Sequence, residues 1–389
     1  MNVGFVGIGK LGRDVAETMA NKHNVVGYDI REVETTIPTT NNLSEAVKNK
    51  DFVFIAVPTP HDPDYDGKFP TSHLIPKDFE YSILLDITKK VSELTDEKTL
   101  IVLISTVLPG TIRRLVKPIL NNKRFIYNPY LIAQGTVKWD FLNPEMIIIG
   151  NENAQEDGDV KKLFEFYKTM ISNPRIEFGT WEEAESIKIF YNTFITTKLC
   201  LVNMIQDVSE KVRNINVDIV TNALKNSTMR IMGPSYMKAG FGDGGGCHPR
   251  DNIALRWLAK EYDIGYDLFS SIMLSREVQA KNMAVRCLEY NKNVVILGKS
   301  FKPGLKDQDE GSPSILVGWY IENLSKNKIK VFYDIEPNKN ESFVYLIHDN
   351  ITFKDHQFNQ ESIIIDPYRE LRSSRKDLTI VHYGNTRTL

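Results

Sequence analysis

Gly7-Ile8-Gly9-Lys10-Leu11-Gly12 constrains this chain more than any other segment. The G-x-G-x-x-G spacing alone says little; its setting says more. An apolar stretch, Asn2–Val6, runs into it, a helical stretch (Leu11–Ala20) leaves it, and Asp29 lies 22 residues beyond Gly7, at the end of the next apolar run. Each part has a mechanical reason. Gly7 permits a tight turn, Gly9 lets backbone approach a pyrophosphate, and Gly12 allows close helix–strand packing. The helix start offers unpaired N–H groups and a positive dipole to phosphates. Asp29 would accept bonds from ribose hydroxyls and repel a 2′-phosphate, which favours NAD over NADP.

The rest of the first part repeats that alternation. Val25–Tyr28, Phe52–Val57, Leu100–Ile104, Phe125–Tyr127 and Met146–Ile149 are continuous apolar runs separated by helical segments. Such runs suit a parallel sheet covered on both faces. From Trp181 to Val212 there is no Pro or Gly, and Ala184, Ile187, Tyr191, Ile195, Leu199, Val202 and Ile205 recur at spacings of three and four. This predicts one helix roughly 45 Å long, able to join two domains and supply a homodimer surface. Alternation then returns with Val294–Leu297, Ile329–Tyr333 and Leu378–His382. Gly27-Tyr28-Asp29-Ile30 is echoed by Phe332-Tyr333-Asp334-Ile335. The expected fold is α/β: two Rossmann-like parallel-sheet domains, 1–180 and 289–389, joined by a long central helix within a helical dimerisation region, 181–288.

Composition narrows the functional classes. The 389 residues carry 48 Lys+Arg against 50 Asp+Glu, a formal charge of −2 that gives no general field for nucleic acid. No apolar run approaches bilayer length, and the start lacks a signal-peptide pattern, so no membrane partner is expected. Cys200, Cys247 and Cys287 are too few and odd in number for a disulfide framework; a reducing, cytoplasmic setting is expected. Asp62-Pro63-Asp64-Tyr65-Asp66-Gly67 mimics the start of a calcium loop, but the twelfth position is His73, and no metal site is expected.

Two further constellations carry chemistry. Gly240 to Gly246 holds five glycines in seven residues and ends at Cys247-His248-Pro249-Arg250-Asp251. A thiol leaving such a loop is accessible, and Arg250 with the polar backbone favours its thiolate. Asp251 comes four residues after Cys247 and shares its face if a helix starts there. Lys188 and Asn192 are i and i+4 on the long helix, beside Ala184, Tyr191 and Ile195. A lysine with apolar neighbours serves as a close charge for a developing alkoxide, as a base if its pKa falls, or simply snorkels at the core edge.

Taken together these residues resemble the UDP-glucose/GDP-mannose dehydrogenase family. Gly7–Gly12 resembles its NAD turn; Val57-Pro58-Thr59-Pro60 its segment after the third strand; Ser105-Thr106-Val107-Leu108-Pro109-Gly110-Thr111 its S-T-V-x-x-G-T signature. Asn128-Pro129 with Gly135 and Asp140 resembles its N-P-E-F-L-x-E-G region. Ala184-Glu185, Lys188 and Asn192 resemble its central helix, and Gly244 to Asp251 its nucleophile loop. Gly298, Phe301-Lys302, Lys306-Asp307 and Ser312-Pro313 resemble its third-domain motif.

The resemblance implies a four-electron oxidation of a nucleotide sugar by NAD, UDP-glucose first, with UDP-N-acetyl-hexosamine and GDP-mannose next. Cys247 would form a thiohemiacetal and then a thioester, released as a uronic acid. Lys188 and Asn192 would stabilise the oxyanion, Asp251 would act as base or orient water, and Thr106 would sit near the nicotinamide. Gly7, Gly9, Lys10, Leu11, Gly12, Asp29, Val57, Thr59, Ser105 and Thr106 would hold the cofactor. Arg230, Lys238, Gly244 and Lys302, with Lys188 and Asn192, would hold the sugar nucleotide. Two family glutamates are replaced by Tyr130 and Gln134, at positions counted with the substrate site, so hydrolysis leans on Asp251 and Lys188 or is slow. Asp243 is an addition to the loop. Two rivals remain: a single-step β-hydroxyacid-type dehydrogenase without thiol chemistry, and a sugar-nucleotide-binding scaffold.

Overall fold

The computed structural model describes residues 1–60, 70–121, 124–156, 158–234, 236–245, 247–302 and 308–386. The Asp62–Gly67 segment, Gly246 and Lys306-Asp307 lie outside the described residues. The chain forms two compact units, Met1–Lys198 and Leu199–Leu389.

The first unit is built on eight strands: β1 (Asn2–Val6), β2 (Asn24–Tyr28), β3 (Thr39–Thr40), β4 (Phe52–Ile55), β5 (Leu100–Leu103), β6 (Phe125–Tyr127), β7 (Ile147–Asn151) and β8 (Ile176–Thr180). Their order in the sheet is β3-β2-β1-β4-β5-β6-β7-β8, parallel throughout except between β6 and β7. Phe52–Ile55 and Leu100–Leu103 are buried at every residue because helices cover both faces. The strand order reverses between β1 and β4, which opens a crevice beyond their carboxyl ends. Helix α1 (Gly12–Ala20) starts there, and α2 (Leu43–Val47), α3 (Ser82–Leu94), α4 (Val137–Leu142) and α5 (Gly158–Lys168) follow it along the chain.

Helix α6 (Trp181–Val212) is unbroken, as its sequence predicts. Trp181 and Ala184 anchor its first turn in the core under β5 and β6. Further along it, Phe190 is 64% and Phe194 53% exposed.

The second unit carries α7 (Val217–Lys225), α8 (Cys247–Glu261), α9 (Leu268–Leu288), α10 (Pro313–Leu324) and a five-stranded parallel sheet. Its strands are β9 (Val294–Leu297), β10 (Val331–Tyr333), β11 (Val344–Ile347), β12 (Ile363–Asp366) and β13 (Thr379–His382), ordered β10-β9-β11-β12-β13. Residues of α9 and α10, including Ala284, Cys287, Val317 and Ile321, form one core with the β9–β11–β12 face. Among the described residues no helix is long and apolar enough to cross a membrane.

The echoed tetrapeptides occupy matching places. Each lies at the end of the second strand of its sheet, and each first strand is followed at once by a glycine with positive φ, +92° at Gly7 and +109° at Gly298. Their acids are used differently. The Gly7 amide donates to the Tyr28 carbonyl at 2.8 Å, whereas the Gly298 amide donates to the Asp334 carboxylate at 2.6 Å.

Candidate functional site

At the carboxyl edge of the first sheet the three glycines do separate jobs. A Cβ on Gly12 would lie 2.0 Å from the Gly7 carbonyl oxygen, and one on Gly7 2.6 Å from that of Ala56. Both positions are closed by the protein's own backbone. A Cβ on Gly9 would meet only Arg31 Nη2, at 3.9 Å, so its open side is left for a ligand. Leu11, the N-cap of α1, supplies no side-chain acceptor to the helix start, and Lys10 beside it is exposed. Amides at an uncapped helix start next to an open glycine suit a pyrophosphate. Asp29 closes the far end: its carboxylate accepts from the Arg31 amide at 3.1 Å, with the Arg31 guanidinium 3.6 Å away.

The other expected cofactor residues converge on the same edge and are tied to one another. Ser105 Oγ donates to the Val57 carbonyl at 2.6 Å, and Thr59 Oγ1 donates to the Thr106 carbonyl at 2.7 Å. These two bonds lock the segment after β4 to the segment after β5. Their cross-strand pairing leaves the Thr106 side chain part-exposed while Val107 beside it is fully buried.

Glu185 holds the end of the Ser105–Thr111 segment, a role its sequence position alone did not suggest. Its side chain on α6 is wholly buried and accepts from the Gly110 and Ile112 amides, the latter at 2.8 Å. It thereby caps the helical turn Ile112–Val116. Two N–H donors favour the carboxylate, but burial outweighs them and pushes its pKa up to about 7. The available signal was a carboxylate one turn before Lys188 on a face otherwise entering the core.

Lys188 Nζ donates to the Tyr130 carbonyl at 2.7 Å, and burial lowers its pKa. Asn192, one turn on, is exposed, as is Gln134 in its loop. Tyr130 offers this edge its carbonyl rather than its side chain. Its hydroxyl lies 2.9 Å from that of Tyr167, which donates to Asn128, whose amide donates to the Ile148 carbonyl. The phenol is thus committed to the core, and burial holds its pKa well above the usual range. Beside Asn192, the Tyr191 hydroxyl donates to Glu145 at 2.6 Å.

In the second unit, Cys247 is the first residue of α8 and is exposed. Gly245 before it has φ +94°, a conformation suited to glycine. Asp251 lies one turn along the same face and accepts from Arg250 Nε at 2.9 Å; the Arg250 guanidinium also interacts with the Cys247 thiol. Cys287 is fully buried, and burial pushes its thiol up to about 12. Cys200 is exposed on α6, outside any glycine loop.

The expected sugar-nucleotide residues of this unit are spread more widely. Gly244 packs on Phe301, where a Cβ would lie 2.6 Å from the carbonyl oxygen, and Lys302 next to it is exposed. Lys238 pairs with Glu370 and lies over the Tyr368 ring at 5.4 Å. Arg230 is exposed.

Known proteins resemble this chain in sequence and in architecture. The sequence profile of the UDP-glucose/GDP-mannose dehydrogenase family NAD binding domain matches residues 31–171, and that of the family's central domain matches 182–277. The chain is 29% identical over 292 residues to UDP-glucose 6-dehydrogenase of Rickettsia prowazekii, 71% of this chain and 62% of the relative's length. It is 26% identical over 348 residues to GDP-mannose 6-dehydrogenase of Pseudomonas putida, 80% of this chain and 76% of that protein. The fold matches that of a GDP-mannose dehydrogenase from Pseudomonas aeruginosa with a TM-score of 0.79, over 98% of this chain and 99% of that one, at 21% identity. The first unit is an NAD-binding domain, and the chain is a member of the UDP-glucose/GDP-mannose dehydrogenase family.

Proposed function

We propose that this protein oxidises the hydroxymethyl carbon of a nucleotide sugar to a carboxylate with NAD. UDP-glucose is the first candidate substrate, with GDP-mannose and UDP-N-acetyl-hexosamine next. The observation that carries the reading is Cys247: an exposed thiol at the first position of a helix, delivered by a glycine run and flanked by Arg250 and Asp251. The names of its relatives, UDP-glucose and GDP-mannose 6-dehydrogenases, support the substrate class.

NAD, held at Gly7–Gly12 and Asp29, would supply the hydride acceptor for both oxidations, and the hydroxyl proton of the first would pass to Lys188 or water. The protein's residues do the rest. The Cys247 thiolate adds to the aldehyde carbon, and the carbonyl oxygen becomes an oxyanion or takes a proton. Lys188 and Asn192 donate to that oxygen; a lysine whose burial already disfavours its charge gains from meeting an anion. Water adds to the thioester with Asp251 taking its proton, and the thiolate leaves as the acid forms. Thr106, held by Thr59, borders the place where the reacting carbon meets the cofactor. Tyr130 supplies no carboxylate to this step, so deacylation is the slow half of the cycle. The protein works as a homodimer in a reducing, cytoplasmic setting, using the apolar residues α6 leaves exposed.

A panel of nucleotide sugars scored for NADH and product mass tests the proposal. The wild type forms two NADH per sugar, and Cys247→Ser forms no acid. One NADH per substrate, unchanged by that substitution, would instead favour a single-step hydroxyacid-type dehydrogenase. Binding without any NADH would favour a scaffold.

A further inference from the structure

Asp243 is the one charged residue in the run that leads to Cys247, and it is tethered. Its Oδ1 accepts from Arg276 Nε on α9 at 2.6 Å. The same guanidinium donates through Nη2 to the Gly311 carbonyl, just before α10, at 2.9 Å. Arg276 is largely buried, its side chain 12% exposed, and that of Asp243 is 29% exposed. One guanidinium therefore joins the glycine loop, α9 and the start of α10. The other carboxylate oxygen faces His248 Nδ1, in the first turn of α8, at 3.9 Å.

Neighbours on either side complete the anchorage. Phe241 packs against the α9–α10 core, edge-on to the His348 ring at 4.5 Å. Gly244 lies against the Phe301 backbone. From Gly244 onward the run has no side chain to hold itself, and glycine gives up more conformational freedom on ordering than any other residue. The register of Cys247 on α8 must then be set from outside the run.

We propose that the Asp243–Arg276 pair is the positioning element of the thiol, holding the loop so that Cys247 stays at the first residue of α8. This rests on Cys247 being the nucleophile. Neither partner touches substrate; both act through the loop. While the thiol is held there, its sulfur keeps a fixed place at the helix start beside Arg250, and a released loop loses that place.

The test uses the full chain carrying Cys200→Ser, so that Cys247 is the exposed thiol, with Asp243→Asn, Arg276→Gln and the conservative Arg276→Lys. The first readout is the rate of alkylation by iodoacetamide at one fixed pH, in which the sulfur displaces iodide from carbon; it needs neither cofactor nor substrate. The second is acid formed from UDP-glucose and GDP-mannose, with KM and kcat separated. We expect Asp243→Asn and Arg276→Gln to change the alkylation rate of Cys247 at a fixed pH by at least about threefold. They lower kcat for acid about tenfold or more with KM within about threefold, and Arg276→Lys recovers most of both. Alkylation rates equal to the wild type, in variants with wild-type thermal midpoints, would overturn the proposal. Acid formation persisting in Cys247→Ser would instead sink the nucleophile reading, leaving the alkylation result to judge the clamp.

Discussion

Replacing Glu185 by glutamine gives a stability change whose sign depends on pH. The carboxyl group is fully buried, with a pKa raised from 4.5 to about 7. A group raised in the folded state stabilises most below its unfolded value, and loses that contribution as pH rises through the folded one. The interval of about 2.5 units, at about 1.4 kcal/mol per unit, gives a loss of about 3 kcal/mol between pH 4.5 and 8. Glutamine does not titrate. Its single carbonyl oxygen satisfies one of the two amides at Gly110 and Ile112, and the other faces an NH₂, which costs about 1–2 kcal/mol at any pH. The wild type is therefore the more stable below about pH 5 and the less stable above about pH 6. The assay is urea unfolding monitored by the fluorescence of Trp181, 3% exposed and four residues from Glu185. Trp139, Trp257 and Trp319, all more than half exposed, are replaced by Phe so that the first unit alone reports. Taking the difference between the two proteins at each pH cancels every other titrating group. A difference that stays flat within about 0.5 kcal/mol from pH 4.5 to 8.5 would show that Glu185 ionises as an ordinary carboxylate, and the argument from burial would fail.

The same geometry sets other outcomes. Gly9→Ala should keep the wild-type thermal midpoint yet lose NADH binding by fluorescence titration, because the added methyl meets a ligand rather than the protein. Gly12→Ala should lose stability first, since its methyl strikes the Gly7 carbonyl; equal behaviour of the two variants would refute the division of labour. Tyr167→Phe leaves the buried Asn128 side-chain oxygen without the donor it has now and should cost about 1–3 kcal/mol in urea unfolding. Lys188→Met should lower kcat for the first NADH far more than it raises KM for the nucleotide sugar, as expected of a group that meets charge developing in the transition state; a pure KM effect would assign it to binding alone.

Much of this protein is local, and local patterns are legible in a sequence. The turn at Gly7–Gly12, the buried strands Phe52–Ile55 and Leu100–Leu103, and the unbroken α6 each arise from residues adjacent in the chain, because strand burial, glycine turns and helix periodicity are short-range properties. β11 and β12 escaped that reading: the described chain between them holds turns and no helix, so the alternation that marks a parallel sheet is missing there. Side-chain partnerships across long separations belong to the tertiary structure. Asp29 and Asp334 stand in matching tetrapeptides, yet one carboxylate is held by Arg31 and the other caps Gly298. Tyr130, which the resemblance puts at the place of a glutamate, has its phenol turned into the core beside Tyr167 by the fold. The burial that raises Glu185, and the guanidinium of Arg276 that meets Asp243 from 33 residues away, exist only once helices and loops are packed. Desolvation and hydrogen-bond geometry depend on what surrounds an atom in space, and the order of residues alone does not specify that.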